Sequence, residues 1–142
     1  SVEGVLKGAY VLQDCTGGAP QVTFVATGSE VGLCVEAAKL LEGVRVRVVS
    51  MPCWELFDEQ DESYQQSVIG TGCPVISVEA GSTTGWTKYS HYQIGMTTFG
   101  ESAPGNKVFE KFGFSPENVA SEGEKVMNHF TQNPVPKLMV KF

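Results

Sequence analysis

Val22-Thr23-Phe24-Val25-Ala26-Thr27-Gly28-Ser29-Glu30 is the stretch that decides the fold. Its first five residues carry four apolar side chains and no charge, the composition of a strand covered on both faces. The strand runs without a linker through a glycine-hinged turn into a helix reaching about residue 42. In that helix Val31, Cys34, Val35, Ala38 and Leu41 recur at helical spacing on one face. Gly43 then ends it. A buried strand feeding an amphipathic helix is the repeating unit of an α/β domain.

The same grammar extends in both directions. Upstream, residues 9–13 read as a short strand, followed by a turn-rich segment over 14–20. Downstream, residues 44–49 alternate Val44, Val46 and Val48 with Arg45 and Arg47, which suggests a wet strand face or an edge position with both arginines solvated. Residues 55–69 suit one or two helical turns and then a short helix, 74–78 another apolar strand, 85–89 a helix start, and 94–98 a last strand. Two helices close the chain, one over 103–112 with Gly113 past its end, the other opened by Ser115-Pro116-Glu117. The second carries Val119, Gly123, Val126 and Phe130 on one stripe; no structure is assigned to the segment after Asn133. One domain over residues 1–142, with a core at 8–130, a tail at 131–142 and a mostly parallel sheet, is the simplest account.

Composition narrows the function classes. Ten basic residues against sixteen acidic give a net charge of -6, which argues against a nucleic-acid partner. No run approaches the ~20 apolar residues that a membrane-spanning helix needs, so no membrane partner is expected. Cys15, Cys34, Cys53 and Cys73 form no C-x-x-C pair, and free, buried thiols in a reducing compartment are expected. Ser1-Val2-Glu3-Gly4 shows no signal segment and no initiator methionine, which fits a processed chain or a piece of a longer one. The expected compartment is intracellular and cytoplasmic, with an organelle left open because the natural amino terminus is not seen.

Three strand-to-helix junctions could carry chemistry, since open α/β sheets bind ligands outside the carboxyl ends of their strands. They lie at 27–30, 79–84 and 100–104, and their candidate cleft residues are Thr27, Gly28, Ser29, Glu79 and Ser102. At the first, Gly28 would let an anion approach helix amides, yet Thr27 and Glu30 stand at capping-box spacing, which fills the same space with a carboxylate. Glu79 needs a partner if buried, whether Lys88, a backbone amide or a ligand. Gly100 and Gly105 have P-loop spacing, but Asn106 stands where the loop requires lysine and Pro104 removes an amide. His91 reads as packed or solvent-facing, and His129 as a cation suited to a helix end. Asp58, Glu59, Asp61 and Glu62 read as a solvated helix beginning rather than a metal site. No G-x-S-x-G elbow surrounds any serine.

Seven phrases arrive in an order that resembles the carboxy-terminal domain of transketolase. They are Gly8-Ala-Tyr-Val-Leu12, Ala26-Thr-Gly-Ser-Glu-Val31, Arg47-Val-Val-Ser-Met-Pro52, Phe57-Asp58 with Gln60 and Tyr64, Val78-Glu-Ala-Gly81 before Trp86-Thr-Lys-Tyr89, Phe99-Gly-Glu-Ser-Ala-Pro104, and Phe112-Gly-Phe-Ser-Pro-Glu-Asn-Val119. The resemblance spans residues 8–130 and departs from the pattern at Cys53, where serine is usual, and over 89–94, which is compact where relatives often carry a longer loop.

This resemblance implies a three-layer, Rossmann-like α/β domain with a mixed, mostly parallel sheet of about five strands. It implies a parent transferase of the pentose phosphate pathway, dependent on thiamine diphosphate and a divalent cation (Mg or Ca), that moves a two-carbon ketol unit from a ketose phosphate to an aldose phosphate. In the family, three α/β domains form each subunit of a homodimer. The first domain holds the diphosphate and metal, and the second supplies the glutamate that activates the thiazolium. None of those motifs occurs here: there is no Gly-Asp-Gly followed by asparagine, and no histidine or arginine cluster for a sugar phosphate. No catalytic, cofactor-binding or metal residue is therefore carried onto this segment. Its expected role is structural and assembly-forming, with the other domains and a second subunit as partners; a small-ligand or regulatory module and a partner-docking domain are the alternatives.

Overall fold

The computed structural model describes residues 2–70, 72–81, 84–95 and 114–140. Five strands form one sheet: β1 (Tyr10–Gln13), β2 (Val22–Ala26), β3 (Val46–Ser50), β4 (Val75–Glu79) and β5 (Tyr92–Gly95), in the spatial order β1-β3-β2-β4-β5. β3, β2, β4 and β5 run parallel, and β1 joins antiparallel to β3 with a bulge between Val11 and Gln13. The mixed, mostly parallel sheet expected from the sequence is thus present. The helices are α1 (Val2–Leu6), α2 (Glu30–Leu40), α3 (Trp54–Asp58), α4 (Glu62–Val68) and α5 (Pro116–His129), with a 3-10 turn at Trp86–Lys88.

Strand alternation sorts the core into two layers. Val22, Phe24 and Ala26 point one way with Val46, Val48, Ile76 and Val78, beneath α2 and α5. Val25, Val49 and Val75 point the other way, into Met51, Phe57, Val68, Ile69, Trp86 and Tyr89. β2, at the centre, is buried at every residue, which is why its sequence is apolar but for Thr23. α5 begins as its sequence demands: the Ser115 hydroxyl accepts from the Asn118 amide at 3.1 Å, and Pro116 opens the helix. Gly123 lets it approach closely, since a Cβ there would stand 2.9 Å from the Phe24 ring.

Several expectations need correction. The strand predicted from residue 44 starts at Val46, and it lies between β1 and β2, so it is not an edge. Arg47 is not solvated. Its side chain is 12% exposed, ion-paired with Asp14 at 3.0 Å, and donates to the carbonyls of Ser67 and Val68 at 2.9 and 3.2 Å. A guanidinium can sit at a sheet face when every arm finds an acceptor. The helix α1 has no counterpart among the elements expected from the sequence. The tail also folds back: the Met139 amide donates to the Lys88 carbonyl at 3.2 Å, and Met139 is buried in the second core layer. The helix expected at 103–112, the Gly113 cap and the strand residues 96–98 lie outside the described residues.

Candidate functional site

The parallel strands place two of the three junctions side by side. Ala26, the last residue of β2, is in register with Val78 of β4, and Glu79 is in register with Gly95 of β5. Thr27, Gly28 and Ser29 therefore leave the carboxyl edge beside Glu79 and Gly81. From β2 the chain moves to β3 on one side and later to β4 on the other, so this pair flanks the reversal point of the sheet, where open α/β folds have their crevice. Ser102, the fifth candidate, lies outside the described residues.

The first junction is built differently from its capping-box spacing. α2 starts at Glu30 with Ser29 in the cap position, and Ser29 has helical backbone angles (φ -67°, ψ -23°) with no side-chain cap bond. Its hydroxyl instead donates to Glu30 Oε2 at 3.2 Å. Gly28, at φ +61°, supplies the left-handed turn that the tight exit from β2 requires. Glu30 is only 9% exposed. It helps to raise the thiol of Cys34, one turn along, which burial chiefly pushes up to about 12. The carboxylate lies near Gly28, since a Cβ added there would meet Glu30 Oε2 at 3.9 Å. The helix-opening amides thus look out past a negative group that the chain itself provides.

At the second junction, Glu79 is half-buried and Oε1 accepts from the Gly81 amide at 3.0 Å, so a backbone amide, one of its three candidate partners, meets it. Lys88 is committed elsewhere, 3.0 Å from Asp58 Oδ2. Beneath this edge runs a buried polar chain that apolar patterning could not reveal. The Ser90 hydroxyl donates to Ser77 Oγ at 2.8 Å, and Gln93 Nε2 donates to Ser90 Oγ at 3.1 Å. Ser77 within the apolar run of β4 is the one sequence signal for it.

The remaining candidates are structural. Asp61 caps α4 by accepting from the Tyr64 amide at 2.8 Å, whereas Asp58 departs from the solvated reading by accepting from the Tyr89 hydroxyl at 2.7 Å besides pairing with Lys88. Burial first, and then that bond, raise the Tyr89 phenol. His91 Nδ1 accepts from the Val75 amide at 2.9 Å, so Nε2, 2.7 Å from the Pro136 carbonyl, carries the proton and donates. With both ring nitrogens committed, His91 has none to offer the adjoining groove of about 230 Å³ between Ile69, Cys73 and the tail. His129 ends α5 against the Phe130 ring. None of the four cysteines is in a disulfide; Cys34 and Cys73 are buried, Cys15 and Cys53 half-buried. Among the described residues no cluster of three or more metal-ligating side chains occurs, and no helix is long and apolar enough to cross a membrane.

Comparison with known proteins follows the same lines. The family model described as "Transketolase-like TK C-terminal domain" matches residues 8–115. A probable transketolase of Schizosaccharomyces pombe is 44% identical over 137 residues, covering 94% of this chain and 20% of the relative. Transketolase from Leishmania mexicana superposes with a TM-score of 0.88 at 48% identity, over 97% of this chain and 20% of that one. Transketolase from Pichia stipitis, in complex with sedoheptulose-7-phosphate, superposes with a TM-score of 0.88 at 40% identity, over 99% and 21%. The chain spans about a fifth of the length of the curated relatives it matches. On this family match, the chain belongs to the transketolase carboxy-terminal domain family.

Proposed function

We propose that these residues serve as the terminal domain of a thiamine-diphosphate-dependent transketolase, which moves a two-carbon ketol unit from a ketose phosphate to an aldose phosphate in the pentose phosphate pathway. The domain acts in structure and assembly, and the chemistry belongs to the rest of a homodimeric parent. One observation carries this reading: the two described junctions that flank the reversal point each carry one of the chain's own acids. Glu30 stands beside the amides that open α2, and Glu79 turns back onto Gly81. A diphosphate brought to these two junctions would meet a carboxylate, so their residues do not fit thiamine diphosphate. A divalent cation likewise finds no converging ligand set among the described residues. A reducing, cytoplasmic compartment suits four cysteines that lie outside any disulfide. Titration calorimetry of the 142-residue chain with thiamine diphosphate and Mg2+ tests the reading. No heat of binding is expected, and tight binding would overturn it.

A second reading rests on the reversal point between β2 and β4, which makes the same edge a small-ligand or regulatory cleft. Its two acids favour a neutral polyol over a phosphate. Crystals soaked with sugars, sugar phosphates and nucleotides separate the two readings: an ordered ligand on Thr27, Ser29 and Glu79 supports the cleft, and an empty edge throughout counts against it.

A further inference from the structure

The helix α1 is built inside out. Of its five residues only Gly4 is buried, pressed so closely on Tyr10 that a Cβ would run into the ring, while Val2, Val5 and Leu6 are 79%, 46% and 66% exposed. Val2, Val5 and Leu6 fall at i, i+3 and i+4, so they form one continuous outward stripe. Single exposed apolar residues need no explanation, but a helix that turns its glycine inward and its whole apolar complement outward does. The helix is not loosely attached. Gly8, two residues past its end, is packed on the backbone of Cys53, Leu56 and Phe57, its carbonyl accepts from the Cys53 amide at 3.1 Å, and Lys7 lies 4.5 Å over the Tyr64 ring. The element that Gly8 abuts adds a further exposed leucine, Leu56, at 37%. A fixed helix with an uncovered apolar stripe suits a docking surface.

We propose that the Val2, Val5 and Leu6 face is the seat, in an assembled transketolase, of the polypeptide that precedes this domain. The occupant follows from length and position. The matched relatives are about five times as long as this chain, and the matched family is a carboxy-terminal domain, so in them other polypeptide comes before it. α1 is the element through which that polypeptide would enter, and so the surface nearest to it. The inference rests on the reading of this chain as a terminal domain of transketolase, and names the surface through which it assembles.

The test is a chimera in which these 142 residues replace the last domain of Pichia stipitis transketolase, measured beside the isolated chain. In the chimera the amides of residues 2–6 exchange roughly tenfold more slowly than in the isolated chain. Leu6→Glu lowers the chimera's thermal midpoint by ~2 °C or more and leaves that of the isolated chain within ~1 °C. Leu6→Met, which keeps an apolar contact, leaves both unchanged. An active, dimeric chimera whose α1 amides exchange as fast as in the isolated chain overturns the proposal and leaves the terminal-domain reading standing. A chimera that does not assemble overturns both. Self-association of the isolated chain that Leu6→Glu abolishes gives the face to a second copy, and overturns the proposal as well.

Discussion

Arg47 grips Asp14 with two parallel hydrogen bonds, Nε to Oδ1 at 3.0 Å and Nη2 to Oδ2 at 3.2 Å, tying β3 to the loop after β1. Chiefly through that bond, the guanidinium holds the Asp14 carboxyl below its ordinary value of 3.8. The folded chain thus binds this proton less readily than the unfolded one. The pair's contribution is complete above pH 3.8 and fades as pH falls through the lowered value. Asp14 is 49% exposed, so solvent keeps that contribution to about 1 kcal/mol or less. Asp14→Asn is expected to match the native chain at acid pH and fall slightly below it at neutral pH in urea titrations. A gap that persists undiminished below pH 3 would remove the pair as its cause.

Arg47→Met should cost more than Asp14→Asn. The carbonyls of Ser67 and Val68 lose their donor together with the carboxylate; Val68 is buried, and an acceptor left unsatisfied in a buried place costs about 1–3 kcal/mol. Urea midpoints for the two variants at pH 7 decide the order, and equal midpoints would mean that water replaces the guanidinium without loss.

Gly8 and Gly43 both have left-handed backbone, φ +86° and +76°. They differ in surroundings. A Cβ on Gly8 would overlap the carbonyl oxygen of Cys53 and the amide of Phe57, whereas one on Gly43 meets nothing within 4 Å. Gly43→Ala therefore carries only the backbone penalty of about 1–2 kcal/mol. Gly8→Ala adds displacement of α3 and should destabilise by about 3 kcal/mol or more. Similar thermal midpoints for the two would show that α3 moves aside freely.

How much of this was legible in the sequence depends on the range of the interaction. The buried strand over 22–26, the cap at Ser115 and the parallel sheet follow from apolar runs and local hydrogen-bond chemistry, which the sequence displays directly. Arg47 defeats such reading because its acceptors, Asp14, Ser67 and Val68, lie 33, 20 and 21 residues away. Alternation alone makes it look wet. Thr27 and Glu30 have capping-box spacing, but the tight exit at Gly28 puts Ser29 in the cap position and frees Glu30 to turn inward. At the candidate cleft, sequence located Thr27 and Glu79 at strand ends; only the β2–β4 register shows that these ends are neighbours.

Cys34 sets an alkaline limit. Burial first, and Glu30 second, raise its thiol from 9.0 to about 12, so the folded chain holds this proton more tightly than the unfolded one. Stability carried by the neutral thiol is complete below pH 9 and is lost as pH rises toward 12. Cys34→Ala removes this loss, so the native chain's advantage over the variant should shrink steadily above pH 9 in denaturant titrations. Tyrosine titration is common to both chains and cancels in the difference. A pH-independent difference would show that the thiol is not desolvated.

His91 joins the start of β4 to the tail, accepting from the Val75 amide and donating to the Pro136 carbonyl, with its ring 5.5 Å from that of Phe130. His91→Phe keeps the ring and deletes both bonds; the Pro136 carbonyl is exposed to water, whereas the buried Val75 amide is stranded at a cost of about 1–3 kcal/mol. The loss should be local. The Val75 amide loses its acceptor, and Met139, whose amide depends on the tail staying against Lys88, loses its protection with it. Amides in the middle of β2 lie between β3 and β4 and should slow or quicken only with global stability. Hydrogen exchange followed by NMR at pH 7 therefore separates a clasp from a general packing defect: faster exchange at Val75 and Met139, beyond that in β2, is the signature of the clasp. Uniform acceleration across all three sites would mean that His91 supports the core as a whole and holds no tail in particular.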